Sequence, residues 1–182
     1  NTGGGSTADY LAIAPGNAKI SFGMPKAGTN QDSVLVNEGN FTFNQGVKYS
    51  VYFADTATNT TSLLVIDSLN RPDSGFARYK FINLIPDLAS ADLYIGTTKI
   101  ASAVPYKGVS PSFVLPTNNA STTWAIRAAG GTTNLATYAG AASSISNQRV
   151  YTVVARGYNS IPNTPATAAD PRKRWISLIY NQ

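Results

Sequence analysis

The sequence has no cysteine and no histidine, and it holds a single glutamate, Glu38, and a single methionine, Met24. Without cysteine there is no disulfide, so stability rests on burial alone; this is compatible with an oxidising compartment but does not require one. The two absences together remove Ser–His and Cys–His nucleophilic catalysis, the usual zinc ligand sets, and haem held by His or Cys. Charge is also sparse, with 14 Lys and Arg against 9 Asp and Glu, or 13% of the chain. No apolar run approaches the ~20 residues that a membrane-spanning helix needs. No charged start followed by an apolar centre marks a secretion leader, so the chain reads as cytosolic or as a mature, processed form.

What remains is β-forming material. Hydrophobic residues make up 43%, and there are 10 Tyr, 7 Phe and 2 Trp. Compositional disorder requires high net charge and few aromatics, which is the opposite balance. Strong helix formers other than Ala are scarce, while Val, Ile, Thr and Tyr abound, so the expected class is all-β. The surface then has to be covered by Thr, Ser, Asn and Gly, a composition common in extracellular β proteins. Net charge is +5 with pI ≈ 9.5. The basic residues are scattered singly except for Arg172-Lys173-Arg174, which reads as a solvated loop end; a nucleic-acid footprint needs a clustered stripe. Nucleic acid is not an expected partner, and no cofactor is expected.

Along the chain, residues 1–9 (NTGGGSTAD) read as a flexible lead. Short apolar runs then alternate with turn signals, as in a sandwich or barrel. Strands are expected near Tyr10–Ala14, Ala18–Met24, Val34–Val36, Asn40–Phe43, Val47–Ala54 and Leu63–Ile66. Turns are expected at Pro15–Asn17, Ala27–Asn30, Glu38-Gly39 and Asp55–Thr60. Residues 69–76 read as a linker. After it, Ala77–Leu84 alternates as a half-buried strand. Further strands are expected near Ala91–Ile95, Lys99–Val104, Ser112–Leu115, Thr123–Ala128, Leu135–Tyr138, Ser143–Ser146, Val150–Gly157 and Trp175–Tyr180. The proline-bearing stretch Asn159–Asp170 is expected to be a long surface loop.

An internal repeat organises these elements. At an offset of 102 residues, Gly16–Phe53 aligns without a gap onto Asn118–Ala155. Phe22 falls on Trp124, Tyr49 on Tyr151 and Val51 on Val153. Residues 77–111 have no counterpart in the first copy, which begins at Tyr10. The expected organisation is a partial sandwich over 10–68 lacking its opening strands and a complete one over 77–182. A sandwich without its leading strands exposes inner faces and unpaired backbone; the strands are either missing from this sequence or removed by processing, and in either case something else, another protein chain, is expected to fill the gap. Tyr10, Ile13, Phe22, Phe43, Tyr49 and Val51 are the candidate strand-accepting residues.

The segments Phe81-Ile82-Asn83, Pro86-Asp87, Asp92-Leu93-Tyr94 and Tyr151-Thr152-Val153 resemble a bacterial surface-protein family known as domain of unknown function 4397. The resemblance covers 77–182, and the later half of the pattern returns in Tyr10–Ile66. It implies immunoglobulin-like β-sandwiches in tandem, on secreted or lipid-anchored proteins of Bacteroidota-type bacteria. It implies no catalytic residue.

The remaining chemistry is thin. Asp87 and Asp92 are close in sequence, but one follows Pro86 in a turn and the other begins a strand, where each can satisfy backbone donors. An enzyme is not expected. Trp124, Trp175, Tyr106 and Tyr138 are candidate rings for stacking on sugars, although alternation with polar neighbours favours core positions for Trp124. Ser33, Thr56 and Ser68 each follow Asp in a pattern resembling bacterial O-glycosylation acceptors, and Thr56 falls in an expected loop. Tyr49 and Tyr151 suit a corner tyrosine that ties a turn to the sandwich edge. The expectation for function is a structural or adhesive subunit at the outer surface of a bacterium, joined to other chains by β-strand complementation. A glycan-binding module is the alternative.

Overall fold

The computed structural model describes residues 10–25, 28, 32–56, 59–119, 121–140 and 145–182. The expected lead over residues 1–9 and most of the expected turn at Ala27–Asn30 lie outside them. The chain is nearly all-β and divides into two compact units, Tyr10–Ser68 and Leu69–Gln182.

The second unit holds β5 (Phe76–Leu84), β6 (Ser90–Ile95), β7 (Thr98–Pro105), β8 (Phe113–Pro116), β9 (Thr123–Ala128), β10 (Ala136–Ala139), β11 (Val150–Arg156) and β12 (Trp175–Tyr180). They form two four-stranded sheets, ordered β10-β9-β6-β7 and β12-β11-β5-β8. All pairings are antiparallel except β5 with β11, which run parallel with Tyr79 beside Tyr151 and Phe81 beside Val153. Alternation on β5 sends Ala77, Tyr79 and Phe81 into the core shared by the two sheets. Tyr79 is the hub: its ring lies 5.7 Å from Phe113, 5.1 Å from Trp124 and 5.2 Å from Tyr151. Burial raises its hydroxyl far above the ordinary tyrosine value, with the neighbouring Tyr151 adding to the effect, so the phenol stays neutral.

Two acids fasten this unit. Asp92, wholly buried, accepts from the backbone N–H of Ala103 (2.7 Å) and of Gly130 (3.1 Å) and pairs with Lys99 at 2.6 Å. It thereby ties β6 to the irregular part of β7 and to the turn after β9. Asp87 accepts from the N–H groups of Asn159 (2.6 Å) and Ser160 (2.8 Å), which moors the loop between β11 and β12. That loop contains a short 3-10 turn at Pro165–Thr167. It closes where Tyr158 bridges Lys173 and Gly157 takes φ 91°. A Cβ at Gly157 would meet the Lys173 carbonyl oxygen at 2.2 Å. Gly157→Ala is therefore expected to cost the unit about 2 kcal/mol in a denaturation experiment, from left-handed strain and a backbone collision together.

The first unit holds β1 (Gly16–Pro25), β2 (Asp32–Phe43), β3 (Tyr49–Ala54) and β4 (Thr61–Ile66), arranged as two antiparallel pairs, β1-β2 and β3-β4. Three sequence expectations need correction. Tyr10–Ala14 forms no strand. Glu38-Gly39 is no turn: β2 runs straight through it, because Glu38 and Gly39 pair with Ser21 and Ile20 in a continuous ladder and Lys19 adds an ion pair to Glu38 at 2.7 Å. Of the expected strand Ser143–Ser146, residues 143–144 lie outside the described residues, and Ile145 is a buried residue outside any named strand.

A candidate strand-accepting site

The closing strands of the two units repeat the same arrangement. In the first, Tyr49 pairs with Ile66 and Val51 with Leu64; in the second, Tyr151 pairs with Tyr180 and Val153 with Leu178. Their surroundings differ. β11 is flanked by β12 on one side and β5 on the other, whereas β3, among the described residues, pairs only with β4. Backbone groups alternate between the two edges of a strand. Lys48 turns its carbonyl toward β4, where it accepts from the Asp67 N–H at 2.8 Å, so Tyr49, Val51 and Phe53 present theirs to the other edge.

The failed strand at Tyr10–Ala14 belongs to the same picture. Carrying the repeat offset back a few residues places Leu11–Ala14 on Phe113–Pro116, which is β8. In the second unit β8 is held to the sheet by β5, with Tyr79 opposite Phe113 and Ala77 opposite Leu115. Among the described residues of the first unit no strand corresponds to β5, and Leu11–Ala14, the β8 equivalent, joins no ladder. An extended apolar segment gains strand structure only from a ladder partner.

Side-chain burial follows. Leu11 is 86% exposed, Ile66 62% and Phe22 43%, although Trp124, the repeat partner of Phe22, is wholly buried. Tyr49, Val51, Tyr52 and Phe53 are half-buried, whereas Tyr151, Val153, Val154 and Ala155 are interior. Phe53 stacks on Phe22 at 5.1 Å, standing where the other unit has the small Ala155. Phe43 is buried edge-on against Tyr49 at 5.2 Å. The Tyr49 hydroxyl accepts from the Asn44 N–H at 3.2 Å, which is the corner role expected of it. Tyr10 donates to Asp67 at 3.0 Å, as does Ser50 at 2.5 Å, which fixes the start of the exposed segment beside β3. Among the six candidate accepting residues, Ile13 and Phe22 are exposed, Tyr10, Tyr49 and Val51 half-buried, and Phe43 buried within the unit itself. Sequence reasoning missed Leu11 and Ile66; the repeat contained the signal for Leu11, through its match to Phe113.

The other candidates are dispersed. Trp124 is interior and offers no ring face to a sugar, which corrects its inclusion as a stacking residue. Tyr138 sits opposite it on β10 and packs against the core. Trp175 begins β12 in the other sheet, with the Lys173 ammonium 5.3 Å from its ring centre, and Tyr106 is half-buried beyond β7. These four rings form no common platform. Thr56 and Ser68 are exposed, while the Ser33 side chain lies outside the described residues. Arg172 pairs with Asp170 at 3.0 Å, and Arg174 donates to the Asn159 carbonyl at 2.9 Å, so the basic run serves its own loop. Among the described residues no cluster of three or more Asp or Glu could hold a metal ion, and no helix is long and apolar enough to cross a membrane.

No curated protein matches the chain. A family match covers residues 2–88, taking in the first unit together with β5 and its Pro86-Asp87 turn, where the resemblance read from the sequence rested chiefly on 77–182. The first unit and the strand that follows it thus fall within one match, and over these residues the chain is similar to the family described as Domain of unknown function (DUF4397).

Proposed function

We propose that the protein is a non-enzymatic structural or adhesive subunit of an extracellular bacterial assembly, joined to its neighbours by β-strand addition. The observation that carries this reading is that, among the described residues, the outer edge of β3 and the segment Leu11–Ala14 join no ladder, while Leu11, Phe22 and Ile66 of the same unit are exposed. An unpaired edge with apolar side chains is a template for another chain. Main-chain hydrogen bonds supply affinity there, and pockets for alternate side chains supply specificity. Head-to-tail repetition of such a contact builds an open filament. The low-charge surface rich in Thr, Ser and Asn supports a place outside the cell, at the outer membrane surface or beyond. Asp87 and Asp92 are both spent on backbone N–H groups, which supports a role without acid–base chemistry. Glycan stacking has no comparable support, since Trp124 is interior.

The test is extraction of the protein from the native cell surface without boiling. The expected result is high-mass species that collapse to the single chain on boiling, as ladder-held assemblies do. A protein that fractionates with the cytosol, or is a single chain before and after boiling, removes the reading.

A further inference from the structure

The one run of adjacent basic residues, Arg172-Lys173-Arg174, stands in the loop between β11 and β12, with the Arg172 side chain 59% exposed. By sequence it is a substrate for endoproteases that cut after Lys or Arg. Such enzymes take the basic side chain into a deep acidic pocket. They also need the flanking backbone extended, with its N–H and C=O groups free to pair with the enzyme. Independently of the assembly reading, we infer that this loop is a guard. The fold holds the basic run in a form that a basic-specific endoprotease does not engage, and Asp87 is the lock.

Each residue of the run is tied at its side chain and again at its backbone. The Arg172 guanidinium donates to the Asp170 carboxylate at 3.1 and 3.0 Å, and the Arg172 carbonyl accepts from the Tyr158 N–H at 2.8 Å. The Lys173 ammonium donates to the Ala168 carbonyl, and the Lys173 N–H donates to the Asp170 carbonyl at 3.2 Å. The Arg174 guanidinium donates to the Asn159 carbonyl at 2.9 Å and to its side-chain oxygen at 3.0 Å. The Arg174 N–H donates to the Ile161 carbonyl at 3.0 Å. Directly beyond it the chain enters β12, where Trp175 pairs with Arg156. To lie extended in a protease cleft, the run has to release these bonds together.

The pair of Asp170 with Arg172 lies at the surface, where ion pairs are weak, so the lock is elsewhere. Asp87 belongs to the turn after β5 and not to the loop. It holds the N–H groups of Asn159 and Ser160, and Asn159 holds Arg174 through both of its oxygens. The start of the loop is thereby fixed to a turn of the folded unit, and the basic run is fixed to the start of the loop. Proteolysis of a folded chain follows how often the cut segment opens locally. Loss of Asp87 frees Asn159, then Arg174 and the run, while the sheets stay paired.

The test is brief digestion of the full chain with trypsin, with the cut bonds identified by mass spectrometry while most chains are still intact. Cuts after Arg172, Lys173 and Arg174 are expected to be at least ~100-fold slower than in a synthetic peptide of residues 165–178. In Asp87→Ala they quicken by at least ~10-fold. Cuts after Lys80 on β5 and Arg127 on β9, which require the sheets to part, rise far less. Arg174→Ala, which leaves Asp87 in place and removes the side-chain tie to Asn159, is expected to quicken the cuts after Arg172 and Lys173. Asp170→Ala is expected to change the rates by less than ~3-fold. Prompt cutting at the run in the parent protein overturns the guard. Unchanged rates in Asp87→Ala, or rates at Lys80 and Arg127 that climb in step with those at the run, overturn the lock. A larger effect from Asp170→Ala than from Asp87→Ala also overturns it.

Discussion

Tyr79→Ala is expected to cost the second unit about 4 kcal/mol, in the range for emptying a large aromatic from a packed core. Three rings contact Tyr79 from β8, β9 and β11, so its removal opens a cavity that no single strand can close by moving. A domain's whole stability is roughly 5–15 kcal/mol, so the variant sits near the edge of folding. Tryptophan fluorescence during urea unfolding is a clean monitor, because Trp124 and Trp175 both belong to this unit and the chain has no other tryptophan. A midpoint close to that of the parent protein would show that Tyr79 is not the hub. Tyr79→Phe, which keeps the ring, is expected to retain most of the stability.

The second large effect concerns Asp92. Asp92→Ala takes a buried carboxylate acceptor from the N–H groups of Ala103 and Gly130 and from the Lys99 ammonium, and it is expected to cost about 3 kcal/mol by the same fluorescence measurement. Burial alone would raise the Asp92 carboxyl, but the Lys99 ammonium and the N–H groups of Ala103 and Gly130 outweigh it and hold the value below the ordinary one. Asp87 behaves likewise: burial opposes ionisation, and the N–H groups of Ser160 and Asn159 prevail. A folded value below the unfolded one means that the unfolded chain takes up protons first. The stabilisation is then complete above the unfolded carboxyl value of about 4 and is lost as pH falls through the depressed folded values. With no histidine in the chain, the unfolding midpoint is expected to stay level between about pH 5 and 8 and to drop below about 4. In Asp92→Ala the acid drop is expected to be shallower, with Asp87 and the Arg172-paired Asp170 supplying what remains. An unchanged acid drop would rule out Asp92 as its main source.

Composition made the all-β class legible, and alternation made most strands legible, since both follow from local preference. Trp124 as a core residue was legible for the same reason, from its alternation with Thr123. The errors share one cause, which is that a strand is completed by residues far away in sequence. Leu11–Ala14 has strand composition but joins no ladder among the described residues, and Glu38-Gly39 has turn composition but is overruled by its ladder with β1. The pairing of buried Asp92 with the exposed Lys99, and the mooring of residues 159–160 by Asp87, depend on the folded chain bringing these groups together. Periodicity gives no sign of either. The repeat made it legible that residues 10–68 carry no counterpart of residues 77–111, whereas the pairing of β5 with both β11 and β8 emerged only from the structure.

The pairing order of the sheet also governs how the second unit bears tension. Strands β5 and β12 lie on either side of β11 and run in opposite directions, so Phe76 and Tyr180 stand at the same end of the sheet. A pull applied between them loads the outermost strand at its tip, and the β11–β12 rungs open one after another like a zipper. A single-molecule pulling measurement would register this as yielding at low force, with the layer containing β6 and β9 still intact. A thread of such modules would stretch readily under flow and recover its length when the strain is released.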